Sequence, residues 1–330
     1  MGKERRLLTV IICLLLGGGL VAAVLGATVV DGRHHASPGG PVPAREYVDI
    51  ADVAPGPQDP RPGPDAATGT AVVECGRNEE AHYNQDNLVV SPGLPGGAHH
   101  THAYVGNLST DARSTDASLA AAATTCRGGD RSTYYWPVLR RTDRQGTRPF
   151  EHAAGHGNAG EILAPAAVTV RFRGNPVGKV VPMPRFLRAI TGDAVAFTAR
   201  SDADVRARWG CSGSPDRFTT KYPKCPRGER LTRTLDFPSC WNGLDTEHED
   251  RTHLRFPAAN GVCPRGTFAV PQLRISLAYD LAPGVPIALD SFPEQRRSPK
   301  TDHAMFVNVM TDEQMAGIVG CLNEGRDCRG

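Results

Sequence analysis

"LRISLAYD", Leu273–Asp280, alternates Leu273, Ile275, Leu277 and Tyr279 with Arg274, Ser276 and Ala278. A period of two gives an extended segment one apolar and one polar face, so this stretch reads as a half-buried strand. Other stretches share its character: "AVTVRFR" (Ala167–Arg173), "DAVAFTA" (Asp193–Ala199), "THLRF" (Thr252–Phe256), "VPIALD" (Val285–Asp290) and "AMFVNVM" (Ala304–Met310). Proline-rich connections separate them. With 36 glycines, 27 prolines and few aromatics in 330 residues, the composition favours turns and short strands over long helices. The expected fold is mainly β: an antiparallel β-sandwich with long disulfide-braced loops and a few short helices.

Two helices are expected. "PRFLRAITG" (Pro184–Gly192) has proline in a first-turn position, Phe186, Leu187 and Ile190 on one side, and a glycine stop. Near the C-terminus Thr311 and Gln314 have capping-box spacing, and Met315, Ile318, Val319 and Leu322 follow the i, i+3, i+4, i+7 pattern up to Gly325.

Outward from this core, the N-terminus sets the address. "MGKERR", residues 1–6, is basic, and Leu7–Val30 follows without a charge. As a helix that run reaches roughly 36 Å, enough for a hydrocarbon core of about 30 Å. The basic flank places it as a single-pass signal-anchor with everything after Asp31 outside the cell membrane. Cleavage after Ala23 or Ala27 would instead give a secreted chain. Residues 31–70 read as a Pro/Gly-rich stalk, in which the more apolar "REYVDIADV" (Arg45–Val53) either docks on the domain or is a sticky patch in a linker. Residues 71–330 form the extracytoplasmic β-rich domain. Charge is nearly balanced, 37 Lys and Arg against 35 Asp and Glu, which excludes a basic nucleic-acid-binding surface.

Apart from Cys13 in the apolar run, eight cysteines remain, an even number that reads as disulfides in an exported domain. Short separations suggest Cys211–Cys225, Cys240–Cys263 and Cys321–Cys328, leaving Cys75 with Cys126. A loop like that between Cys211 and Cys225 contributes roughly 3 kcal/mol in the chain-entropy picture. No Cys-x-x-Cys pair exists to suggest zinc.

"GAHHTHAYVGN", Gly97–Asn107, holds three of the chain's eleven histidines. In an extended segment His100 and His102 share a face and His99 does not. Two imidazoles so placed are a platform for a divalent metal ion, with His253, His303, Asp302 and Asp250 as candidate further ligands. The same histidines could instead bond to backbone and orient loops. His100, His102, His253 and Asp250 are also the candidate acid–base residues, and the charged knot Glu247–Asp250 supplies carboxyl groups of the kind glycosidic cleavage needs. A G-x-S-x-G nucleophile elbow is absent. Trp136, Tyr135 and Trp241, with Asn107, are candidate sugar-contacting residues, since flat rings with polar rims suit amphipathic ligands; packing beside disulfides is the other reading.

The segments "CGRNEEAHYNQDNLVVSPGLPGGAHHTHAYVGN", "TTCRGGDRSTYYWPVLR", "KVVPMPRFLRAITGD", "DFPSCWNG", "CPRGTFAVPQLRISLAYD" and "TDHAMFVNVM" together resemble the DUF1996 family over about Cys75–Cys328. It comprises exported proteins of filamentous bacteria and fungi with no assigned function, in fungi sometimes joined to WSC carbohydrate-binding modules. The family's His-x-His, aromatic and Gly pattern falls on His100, His102, Tyr104 and Gly106. Its His-x-x-His after the Cys-Trp motif falls on Asp250 and His253, so the first histidine is replaced. The often acidic position after His102 is Ala103. The resemblance implies little about function; the histidine constellation, the envelope location and the WSC association of relatives together point to binding or processing of a cell-envelope polysaccharide through a His-lined groove, by a hydrolase or lyase if the chain is an enzyme. A non-enzymatic surface or wall protein, and an extracytoplasmic metal-binding protein, are the alternatives.

Overall fold

The computed structural model describes residues 41–146 and 157–329. The expected membrane segment 7–30 lies outside the described residues; among these, no helix is long and apolar enough to cross a membrane.

Two sheets carry the fold. In chain order their strands are β1 (Thr70–Val73), β2 (Tyr83–Asn84), β3 (His102–Gly106), β4 (Thr133–Pro137), β5 (Ala167–Arg173), β6 (Arg188–Gly192), β7 (Trp209–Cys211), β8 (Ser214–Thr219), β9 (Leu231–Asp236), β10 (Gln272–Tyr279), β11 (His303–Val307) and β12 (Asp327–Arg329). The larger sheet has the order β8-β7-β9-β10-β5-β1-β12, the smaller β2-β3-β4-β11-β6. Pairing is antiparallel except for β1 with β12.

The alternation in "LRISLAYD" does what it predicts: Leu273, Ile275, Leu277 and Tyr279 of β10 are buried and the residues between them half-buried. They join Val170 and Phe172 of β5 and Leu231 and Leu235 of β9 in one core with Val105, Tyr134, Trp136, Ala189, Ala304 and Phe306 of the smaller sheet. Phe306 meets Phe172 and Phe237 edge-on, with ring centroids 6.2 and 6.3 Å apart. These are the facing inner sides of a mainly β, sandwich-like structure. Four disulfides brace it: Cys75–Cys126, Cys211–Cys225, Cys240–Cys263 and Cys321–Cys328.

The final helix, Asp312–Asn323, begins at the expected capping box of Thr311 and Gln314 and buries Met315 and Leu322. Residues 184–192 do not form the expected helix. Phe186 adopts φ +68°, and Arg188–Gly192 is strand β6, because pairing with β11 and the β-branched Ile190 and Thr191 outweigh the helical spacing. Residues 193–199 do not form the expected strand. Asp193 accepts the Val195 N–H, and the Val195 carbonyl accepts the N–H groups of Thr198 and Ala199, which coils the chain into turns.

Of the expected stalk 31–70, residues 44–70 lie on the domain. Tyr47–Asp49 pairs in parallel with Tyr222–Lys224, Ile50 is buried, and Arg217 donates to the carbonyls of Ala51 and Val53. Tyr47 and Ile50 supply the apolar area that the flanking prolines and glycines lack.

Candidate metal centre and the adjoining cleft

In the smaller sheet the residues that alternate with the core set face outward: His102 and Tyr104 on β3, Tyr135 on β4, Ile190 on β6, His303 and Met305 on β11. This face is not open to solvent. Tyr104, Tyr135 and Met305 form a cluster of their own, covered by Val89 and Ile190, and His100, His102 and His303 are buried beside it.

The three imidazoles are adjacent, with ring centroids 4.6, 5.1 and 5.7 Å apart, and they offer nitrogens that all lie within 4.8 Å of one another. The chain turns at His99, which takes φ +55°, and the His99 and His100 rings both pack against Phe292, with ring centroids 5.8 and 5.2 Å away. Tautomers follow from backbone partners. His102 Nδ1 is 3.0 Å from the Asp86 carbonyl, which can only accept, so the proton sits on Nδ1 and Nε2 carries a lone pair. By the same argument His303 Nδ1 donates to the Thr301 carbonyl at 2.7 Å, and its Nε2 lone pair lies 3.2 Å from His100 Nε2. Among the described residues, His102 Nε2 and His100 Nδ1 are buried with no hydrogen-bond partner. A ring nitrogen held on a backbone carbonyl, with the other free and inward, is the arrangement of a metal-ligating histidine. Two imidazoles on one tetrahedral zinc have their nitrogens roughly 3.3 Å apart. The histidines are held neutral, as ligation requires: burial, and then His102 and His303, keep His100 well below the usual histidine value. Burial, and then His303, do the same to His102, and burial lowers His303 against the opposing Thr301 carbonyl.

Two buried ion pairs fix the strands that carry these rings. Arg233 donates to Asp302 at 2.5 and 3.0 Å, to the Pro137 carbonyl and to the Tyr279 hydroxyl, immediately before His303. Arg140 donates to Asp290 at 2.5 and 3.0 Å, and Asp290 accepts the N–H of Thr101, between His100 and His102. Arg233, Arg140, Asp290 and the Asp86 and Thr301 carbonyls went unrecognised in the sequence. One signal was present: Arg233 occupies an inward position between Leu231 and Leu235.

Other expected site residues are elsewhere. Asp302 is not available as a ligand, because both its oxygens are taken by Arg233. His253 does not join the group of three. Its Nε2 donates to the Arg188 carbonyl at 2.7 Å, its Nδ1 is buried without a partner, and burial lowers its pKa. Asp250 is exposed beside it. Trp136 is 1% exposed and faces the sandwich core, so no sugar can stack on it. Tyr135 is buried, with its hydroxyl donating to Asn87. Asn107 is buried and ties the Leu119 and Arg131 carbonyls, a structural rather than ligand-contacting position. Trp241 is half-buried and donates to the Asp245 carbonyl. Cys75 and Cys126 lie near Asp130, but as a disulfide their sulfurs hold no metal.

His253 and Asp250 line a cleft of about 1110 Å³ that abuts the edge strand β6. Its walls mix Val89, Ile190 and Phe256 with Arg188 and Arg206, and carboxylates enter from two segments, Asp193 and Asp204 on one and Glu247 and Glu249 on the other. At its edge, Gly192 is the register partner of His303.

The fold and site together define a cystine-braced, sandwich-like β domain with a buried three-histidine group. Residues 87–316 match the family described as Domain of unknown function (DUF1996), and the chain belongs to that family. No curated protein and no solved structure matches it.

Proposed function

We propose that this is an extracytoplasmic metal-binding domain, held at the membrane by residues 7–30, whose centre is His100, His102 and His303. The observation that carries the reading is the buried, unpartnered Nε2 of His102 in a group whose three histidines offer nitrogens within 4.8 Å of one another. Leaving such a group unsatisfied costs about 1–3 kcal/mol, which a bound cation recovers. Three neutral imidazoles suit zinc or copper and disfavour magnesium and calcium, which prefer oxygen. The apolar N-terminal run with its basic flank, and four disulfides, support the location outside the membrane.

The test is the metal content of the purified full chain by plasma mass spectrometry, followed by titration of the stripped chain with Zn²⁺ and Cu²⁺. Near-stoichiometric binding, weakened at least tenfold in His102→Ala and His303→Ala, is expected. A chain that takes up neither ion, or whose alanine variants bind equally well, overturns the reading.

The cleft favours a second reading, binding or processing of a cell-envelope polysaccharide. Its volume and its mixture of apolar and charged walls suit a polyhydroxylated chain, and His253 and Asp250 are the acid–base candidates that line it. A panel of wall glycans that shows neither binding nor turnover removes this reading without touching the first.

A further inference from the structure

The outer face of the larger sheet is the counterpart of the histidine face, and its pairing gathers positive charge. Arg171 of β5 is the register partner of Arg274 of β10, which is in turn the partner of Asp236 of β9. In the neighbouring row Arg173 is the partner of Gln272. Directly paired residues share a face, so these arginines stand side by side opposite the core.

Three guanidiniums converge on one carboxylate. Arg274 donates to both oxygens of Asp236 at 2.5 and 2.8 Å, Arg208 to one at 2.6 Å, and Arg173 reaches it at 3.5 Å. Among the described residues, the other acid paired with Arg173 is Asp59, 3.7 Å away and largely exposed. Arg173 also donates to Gln272 at 2.6 Å, but its Nε is buried without a partner. Burial pushes the Arg173 pKa down; the attraction of Asp236 opposes this, and the repulsion of Arg274 adds to it. Arg173, Arg208, Asp236 and Gln272 open into a pocket of about 550 Å³, whose far wall is Arg206 lying over the Phe256 ring at 4.5 Å.

We infer that this pocket is an oxyanion site, taking a carboxylate or phosphate group of a ligand on Arg173 and Arg208, with Arg206 closing the far side. Planar guanidiniums are matched to such groups, and the anion supplies charge opposite Arg173, Arg208 and Arg274 beyond that of Asp236. The inference stands independently of the metal centre and of glycan binding. Arg206 and Phe256 also line the larger cleft, so the two cavities share a wall.

The experiment is calorimetric titration of the full chain in mild detergent with inorganic phosphate and, separately, with trigalacturonate, at fixed ionic strength in chloride. Binding of either probe, weakened at least tenfold in Arg173→Gln, is the expected result. Phosphate alone assigns a phosphate site, trigalacturonate alone a carboxylate site, and both a general oxyanion site. Arg206→Gln, which leaves the Asp236 network whole, is the second variant should Arg173→Gln not fold, and is expected to weaken binding at least threefold. Absence of heat from both probes, or affinities unchanged in every folded variant, overturns the inference.

Discussion

The outward faces of the two sheets begin from the same alternation and end in opposite states. On the smaller sheet, loops cover the face, and His102, Tyr104, Tyr135, His303 and Met305 are buried. On the larger sheet, Arg171 is exposed and Arg173 and Arg274 half-buried. Under cover polar atoms need partners, so the ring nitrogens of the three-histidine group left without one among the described residues, His102 Nε2 and His100 Nδ1, carry information. In the open, water satisfies individual groups, and the informative quantity is the surplus of like charge. The two candidate sites therefore differ in kind: one is defined by geometry, the other by charge.

That contrast is most severely tested where a charge pair sits under cover. Arg233 and Asp302 are both fully buried, and Asp302 precedes His303. Arg233→Met leaves the carboxylate of Asp302 unpaired inside the sandwich and is expected to cost about 3–5 kcal/mol in urea denaturation. Replacing both partners by apolar residues should restore much of that loss. If Arg233→Met proves nearly neutral, the smaller sheet's cover is not as dry as its burial implies.

Metal should stabilise the covered face and leave the open one untouched. Zinc at a hundred times its dissociation constant is expected to add about 2.7 kcal/mol to the unfolding free energy. At the same zinc concentration the increment should fall to about 1.4 kcal/mol or less in His102→Ala, as a tenfold or greater loss of affinity requires, and persist in Arg173→Gln, as read by denaturation with and without the ion.

The framework was legible in the sequence for physical reasons. Period two in 273–279, the Thr311–Gln314 capping box and the even cysteine count are local or combinatorial signals that tertiary context did not override. Residues 184–192 fit helix spacing or strand burial equally well, and pairing with β11 decides between them, whereas 193–199 carries a strand-like pattern that the hydrogen bonds of Asp193 and Val195 override with turns. The pairing of His100 with His102 followed from alternation. That His303 rather than His253 completes the group could not, because it depends on which strand β11 lies beside. Asp302, expected as a ligand, is the anchor that positions its neighbour, a role set by the distant Arg233.

On the open face Asp236 carries the corresponding test. Burial raises its carboxyl, but the Arg274 hydrogen bonds and the charges of Arg274, Arg173 and Arg208 outweigh this, leaving it below its ordinary value. Its contribution is therefore complete above the unfolded value of about 3.9 and is lost as pH falls through the lower folded value. Asp236→Asn is expected to cost about 2 kcal/mol at pH 7, the scale of hydrogen bonds to a charged group. The gap from wild type should close as pH is lowered below about 4. A gap that stays constant to pH 2 means that the side chain acts by shape rather than charge.

The smallest effect belongs to Arg171, whose register partner Arg274 carries the same charge. Directly opposed like charges destabilise a sheet by about 0.2–1 kcal/mol, and Arg274 is already engaged by Asp236, so Arg171→Gln should gain an amount near the lower end. Salt identifies its origin. With a screening length of about 10 Å at 0.1 M and about 3 Å at 1 M, the gain should be measurable in dilute buffer and absent in molar chloride. A gain that survives high salt reflects strand propensity at position 171, and the charge surplus assigned to this face is then smaller than its arginines suggest.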